Sequence, residues 1–268
     1  MKRLERTALI TGASAGIGAA LSRVFAENGF DVVLVARRLD RLEALASEIE
    51  RAHGVNAQPI AVDLAEVDSP ARLFEALAAR RIDVDALVNN AGFAVLGYFA
   101  EPEWSRHADF LQVMITSTVQ LTHLAERGMV ARGYGRILNV ASVAGLIPGA
   151  PKTTLYGPAK AFLIKFSEAL SLEHQGDGVH VTALCPGYTL TEFHDVLGTR
   201  ARMNRLPKFI WLDADTVARQ GFAAVMRGDA VCINGNLYRA VAGAVKVLPG
   251  SVTRALLSKY SRSVRQQA

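Results

Sequence analysis

Six short apolar runs punctuate the chain: RTALIT (6–11), DVVLVA (31–36), AQPIAVD (57–63), VDALVNN (84–90), GRILNVAS (135–142) and VHVTALC (179–185). Each is nearly continuous in Val, Ile, Leu and Ala rather than alternating with polar residues, the pattern of a strand covered on both faces. Between them lie amphipathic stretches at 17–28, 39–52, 69–81, 103–132 and 157–175, which read as helices. Strand–helix alternation of this kind predicts an α/β fold: a parallel, doubly wound sheet with helices on both faces. With no internal repeat and no linker rich in Pro, Gly or Ser, residues 1–268 read as a single domain, a length one α/β domain accommodates.

Composition removes several alternatives. Half of the residues are apolar, but glycine, charge or proline interrupts each apolar run well short of membrane-spanning length, so no transmembrane helix is expected. The opening MKRLERTALITGASAGIGAAL mimics a secretory leader, yet no convincing cleavage site follows and a strand with a glycine turn explains it better. Cys185 and Cys232 both fall in apolar runs and read as buried core thiols in a reducing, cytoplasmic setting. No Cys/His cluster has metal-ligand spacing, and no metal is expected.

The net charge of +5 is unevenly distributed, because after Asp229 there is no acid and six basic residues: Arg239, Lys246, Arg254, Lys259, Arg262 and Arg265. No stripe of interleaved aromatics accompanies them, so nucleic acid is not an expected partner. Within the basic tail, 246–268, Val252, Leu256, Tyr260 and Val264 recur every four residues. Such a helix docks on its own domain or on a second subunit; contact with an anionic membrane surface is the lesser alternative. A homodimer or homotetramer is the expected assembly.

The turn TGASAGIG (11–18) directly follows the first strand and opens the first helix. Gly12, Gly16 and Gly18, with Ser14 and Ile17 between them, let the backbone turn tightly and approach a pyrophosphate at a helix N-terminus. A glycine trio alone is often only a turn, but here the strand–turn–helix context marks a dinucleotide site. At the end of the second strand, where a carboxylate would bind a ribose 2′-hydroxyl, the chain has Arg37 and Arg38. A guanidinium grips a 2′-phosphate bidentately, which favours NADP(H), with NAD(H) as the second choice.

LYGPAKAF (155–162) places Tyr156 four residues before Lys160 on one helical face. By itself such a pair is commonly surface decoration. Its setting argues otherwise. Taken in order, TGASAGIG, VDL (62–64), NNAG (89–92), NVAS (139–142), YGPAK (156–160) and CPGYTLT (185–191) resemble the short-chain dehydrogenases/reductases from about residue 5 to 235. The resemblance implies a Rossmann-type sheet of seven strands and hydride transfer between a nicotinamide and a carbonyl or alcohol carbon. It makes Asp63 and Leu64 adenine neighbours, and has Asn90, Ala91 and Gly92 line the route from the adenine-side ribose to the nicotinamide. It has Pro186 and Gly187 turn the chain under the nicotinamide, with Thr189 and Thr191 as donors near its carboxamide. Ser142 would hydrogen-bond the substrate oxygen, Tyr156 would exchange the proton, and Lys160 would hold the nicotinamide ribose. A free phenol titrates near 10, and a nearby ammonium is expected to lower that value.

The chain departs from the family pattern at three places. Met114 aligns with an asparagine that holds a relay water; since a thioether is a poor acceptor, the backbone carbonyl of residue 114, or Ser117 and Thr118 three and four residues on, are the candidate substitutes. Ser142 and Tyr156 stand one residue further apart than usual, the extra residue falling in IPGAPKTTL, and Pro158 and Ala159 replace a common Ala-Ser. Ala15 occupies a position where many NADP-preferring members carry a second base. The segment 190–215 is the expected lid, holding Phe193, His194, Phe209, Ile210 and Trp211 beside Arg200, Arg202 and Arg205; Phe93, Val95, Leu96, Ile147 and Pro148 are the expected floor. An apolar, partly aromatic pocket suits a lipophilic ketone or alcohol. The competing reading is a cofactor-binding regulatory or scaffold protein on the same fold, its relay impaired at Met114; the intact Ser142, Tyr156 and Lys160 favour the enzyme.

Overall fold

In the computed structural model, residues 6–149, 151–193 and 207–248 are described. The tail residues Val252 to Arg265 and the lid residues His194, Arg200, Arg202 and Arg205 lie outside them.

Seven parallel strands form one sheet in the order β3-β2-β1-β4-β5-β6-β7. They are β1 (Thr7–Thr11), β2 (Asp31–Ala36), β3 (Ala57–Ala61), β4 (Ala86–Asn89), β5 (Gly135–Val140), β6 (Val179–Cys185) and β7 (Val231–Ile233). The six apolar runs thus became strands, most of them one to three residues shorter than the run, because the polar ends turn away into loops. The helices are α1 (Gly16–Glu27), α2 (Leu39–His53), α3 (Ser69–Ala79), α4 (Trp104–Leu111), α5 (Ser117–Arg132), α6 (Tyr156–Glu173), α7 (Ala214–Arg227) and α8 (Asn236–Val247). The chain is a Rossmann-type doubly wound α/β fold.

Side chains of a strand alternate between faces, and here both faces are buried. Ala8, Ile10, Val32, Leu34, Val88 and Leu138 enter one core with α1, α2 and α7, while Leu9, Val33, Val35, Leu87 and Ile137 enter the other with α3 and α5. The first core is anchored by edge-to-face aromatics, Phe25 with Phe222 at 4.9 Å and Phe25 with Phe30 at 5.3 Å between centroids. Cys185 is fully buried as expected, but Cys232 is only half-buried, because β7 is the outermost strand and has a neighbour on one side only.

The long helical stretch read at 103–132 is not uniform. Between α4 and α5 the chain makes a π turn, Gln112–Thr116, in which the Ser117 amide reaches back five residues to the Gln112 carbonyl. This wide turn carries Met114. Among the described residues, no helix is long and apolar enough to cross a membrane.

Candidate active site

The loops at the carboxyl ends of the strands build the site, as they do in doubly wound sheets generally. After β1 the chain turns with Gly12 at φ +66° and Gly16 at φ +56°, conformations that tax any other residue. Close approach is stricter still at Gly18. A Cβ there would stand 2.2 Å from the Gly12 carbonyl oxygen, so only glycine lets α1 start against this turn. The Asn90 amide braces the turn from below, donating to the Thr11 carbonyl at 2.9 Å and the Gly12 carbonyl at 3.2 Å. Thr11 adds a hydroxyl that accepts from the Asn90 and Ala91 amides. The result is an open N-terminus of α1 with no side-chain cap, a cradle whose shape a dinucleotide pyrophosphate fits. Ser14 lies in this turn, and Ile17 packs back onto the core.

At the end of β2 the two arginines diverge. Arg38 reaches Ser14 Oγ at 3.1 Å, while Arg37 is largely exposed and leans toward Asp63 at 3.8 Å. Asp63 also accepts from the Ala65 amide, and Leu64 turns its side chain into the core. Among the described residues, no group of His, Cys, Asp and Glu could hold a metal ion.

Ser142 leaves β5 in extended conformation and caps a short 3₁₀ turn, Val143–Gly145, accepting from the Ala144 amide at 3.1 Å. Its hydroxyl donates to the Pro186 carbonyl at 3.5 Å, and it lies close enough to the Tyr156 phenol at the start of α6, fourteen residues on, to pull that phenol's pKa down, so the lengthened loop does not separate the two. Gly145 explains why. A Cβ there would meet backbone atoms of Lys160 and Ala161 at 2.6 Å, so glycine lets the Ser142 turn rest directly on α6. Pro158 sits in the first turn of α6, which continues unbroken to Glu173.

Lys160 is buried and donates from Nζ to the Val140 carbonyl at 2.6 Å, tying α6 to β5. Its ammonium lies 5.7 Å from the centroid of the Tyr156 ring. The expected lowering of the phenol is not what the structure shows. Burial pushes Tyr156 up to about 12, with the Ser142 hydrogen bond pulling the other way, and burial pushes Lys160 down to about 8. The i, i+4 spacing brought the groups together, but burial of each sets the direction of its shift. Below the pair, Asn139 receives Asn89 at 2.8 Å and donates to Ser167 at 2.9 Å, locking β4, β5 and α6 into a fixed platform.

Met114 is 1% exposed and packs with Phe110 and Ala159, flanked by Phe93 and Tyr156. The hydroxyls expected to substitute for the missing amide are directed elsewhere: Ser117 donates to the Leu64 carbonyl at 2.8 Å and Thr118 to the Val113 carbonyl at 3.4 Å. The π turn offsets the helix by one residue, which helps carry Ser117 to the segment after β3. Met114→Asn is therefore expected to lower the melting temperature without raising turnover, because an amide in this apolar cluster loses hydrogen bonds at a cost of about 1–3 kcal/mol. Ser117→Ala should leave the pH profile of turnover unchanged. Melting curves and pH–rate profiles check both, and a faster Met114→Asn variant would return position 114 to the proton relay.

After β6, Pro186 accepts the Val143 amide at 3.1 Å and so joins the two loops. Gly187 lies against the ring of Tyr238, where a Cβ would overlap ring carbons at 2.1 Å. The Tyr238 hydroxyl accepts from the Tyr188 amide at 3.1 Å and donates to the Ile210 carbonyl at 2.7 Å, fixing the turn from α8. Tyr238 was invisible to motif reading because its partners are 28 and 50 residues away. Thr189 donates its hydroxyl to the Gly187 carbonyl, and Thr191 lies beside Gly16. Phe193 comes within 6.1 Å of the Tyr156 ring, while Phe209 is 77% exposed and Trp211 packs on Tyr188. Of the expected floor, Phe93 and Val95 pack against the Met114 cluster and Leu96 is exposed.

The structure brings a serine, a phenol and an ammonium together, Ser142 at the end of β5 and Tyr156 and Lys160 on the first turns of α6. The family model described as short chain dehydrogenase matches residues 6–201. The chain belongs to the short-chain dehydrogenases. It is an oxidoreductase of this NAD(P)-using family. It is 31% identical over 265 residues to the very-long-chain 3-oxoacyl-CoA reductase of Anas platyrhynchos, covering 96% of this chain and 80% of that one. It is 32% identical over 271 residues to human 17-beta-hydroxysteroid dehydrogenase type 3, covering 97% and 83%. Among solved structures, the short-chain dehydrogenase from Sphingobium yanoikuyae in complex with NADPH is similar with a TM-score of 0.79 and 32% identity, over 89% of this chain and 93% of that one.

Proposed function

We propose that this short-chain dehydrogenase reduces a bulky, lipophilic ketone to an alcohol with NADPH, or runs the reverse reaction. The observation that carries the reading is that Ser142, Tyr156 and Lys160 lie together, with Tyr156 packed against the apolar Met114 cluster. The glycine turn, Ser14 and Arg38 would hold the nucleotide, with Arg38 facing the 2′-phosphate. Bound there, a nicotinamide supplies or accepts the hydride. The chain's own residues manage the oxygen. Ser142 donates a hydrogen bond to the carbonyl and polarises it; Tyr156 delivers its proton as alkoxide character develops. Lys160 carries positive charge below the ring and stabilises the phenolate left behind. The tightly packed Met114 cluster keeps that side of the phenol dry.

The apolar rim (Leu96, Tyr188, Leu190 and Phe209) and the names of the relatives, an oxoacyl-CoA reductase and a hydroxysteroid dehydrogenase, both favour a large apolar substrate over a small charged acid. The purified protein should oxidise NADPH with steroid ketones or medium- to long-chain 3-oxoacyl thioesters far faster than with acetone or pyruvate. Following NADPH absorbance across such a panel tests this. Preference for the small polar ketones would overturn the substrate assignment.

A further inference from the structure

One acid crosses the nucleotide cleft. Glu192, immediately after Thr191, accepts two hydrogen bonds from Arg41 at 2.7 and 2.9 Å and lies 3.4 Å from Arg38. Arg38 in turn reaches Ser14 in the glycine turn. The two arginines and the serine thus form one anion seat, at the place where the second strand ends and the 2′-substituent of an adenosine ribose belongs. Thr191, one residue before the carboxylate, lies so near Gly16 that a Cβ on the glycine would stand 3.0 Å from it. The ion pair therefore draws the loop after β6 across the pyrophosphate cradle.

We propose that Glu192 is a resident competitor for the 2′-phosphate: its carboxylate occupies the seat formed by Arg38, Arg41 and Ser14, and a 2′-phosphorylated nucleotide binds by displacing it. This rests on the NADP(H) reading above and adds two specificity-determining residues to it, Arg41 as a phosphate ligand and Glu192 as its internal rival. The charges favour exchange. A phosphate monoester carries close to two negative charges and three acceptor oxygens, against one charge and two oxygens on the carboxylate. Glu192 and both arginines are nearly half exposed, so the ion pair they make is weak enough to be replaced. A ribose 2′-hydroxyl has no charge with which to compete and leaves the pair in place. The arginines thus discriminate by attracting the phosphate, and Glu192 narrows the margin by having to be displaced.

Calorimetric titration of the full chain with 2′,5′-ADP and with 5′-AMP tests this without any turnover. Glu192→Gln should tighten 2′,5′-ADP by about three- to fivefold, the range an exposed charge supports, while 5′-AMP stays within about twofold. Arg41→Ala should weaken 2′,5′-ADP and leave 5′-AMP unchanged. Wild-type protein that binds both nucleotides equally well would overturn the NADP(H) reading itself. A wild type that prefers 2′,5′-ADP, with a Glu192→Gln variant that binds it no more tightly, would leave that reading standing and overturn the role of Glu192. Unchanged 2′,5′-ADP affinity in Arg41→Ala would remove Arg41 from the seat.

Discussion

Tyr156→Phe is expected to keep nucleotide binding and to lose turnover by about 10²- to 10⁴-fold, the usual contribution of a positioned acid–base group. The ring stays, so its packing with Phe193 and the Met114 cluster stays, and only the exchanged proton is removed. The pH dependence should follow from the raised phenol. With Tyr156 pushed up to about 12, the proton is in place throughout the neutral range, so carbonyl reduction gains nothing from alkali. Alcohol oxidation needs the phenolate and should speed up as pH rises toward that value. Nucleotide titration with stopped-flow turnover in both directions measures these effects. Rates within a few-fold of wild type would assign the proton to another group.

Gly145→Ala is the second large effect, although Gly145 carries no chemistry. Its missing Cβ is what allows the Ser142 turn to rest on the backbone of Lys160 and Ala161. Backbone atoms at 2.6 Å cannot rotate away like a side chain, so the turn must lift off α6. Ser142 then moves away from Tyr156, and misplacement by about 1 Å costs about 100-fold in rate. The nucleotide cradle is built elsewhere, from β1, α1 and Asn90, so NADPH affinity should be retained. A variant with normal turnover would show that the Ser142 turn tolerates displacement; one that loses both binding and turnover would point to general misfolding.

Sequence patterning foretold the sheet well, because strands buried on both faces leave continuous apolar runs whatever their neighbours do. Helical spacing foretold the pairing of Tyr156 with Lys160, and the family resemblance added Ser142. It failed on the sign of the phenol's shift, because spacing says how near two groups lie and nothing of how much water each loses. Cys232 was misjudged as core for a related reason: a short apolar run does not reveal whether its strand lies inside the sheet or at its margin. Glu192, Arg41 and Tyr238 went unseen since their partners are distant in sequence, 151 residues in the case of Arg41 and Glu192. Local pattern carries no information about such pairs. The π turn was hidden too, since an amphipathic stripe blurs over a single widened turn.

That widened turn has a consequence for the helix on either side of it. Each α-helical residue advances the direction of its side chain by about 100°, so one residue taken into a wider loop resets the angular phase of everything beyond. Phe110 on α4 is set out of step with Leu121 and Ala125 on α5, and this lets one long rod serve two differently oriented surfaces. Winding Gln112–Thr116 as a regular helix, with no residue removed, would turn α4 by about 100° relative to α5. Phe110 would then swing off Phe93, from which it now stands 5.7 Å in edge-to-face contact, and the wall behind the Tyr156 phenol would open from a place no sequence motif marks.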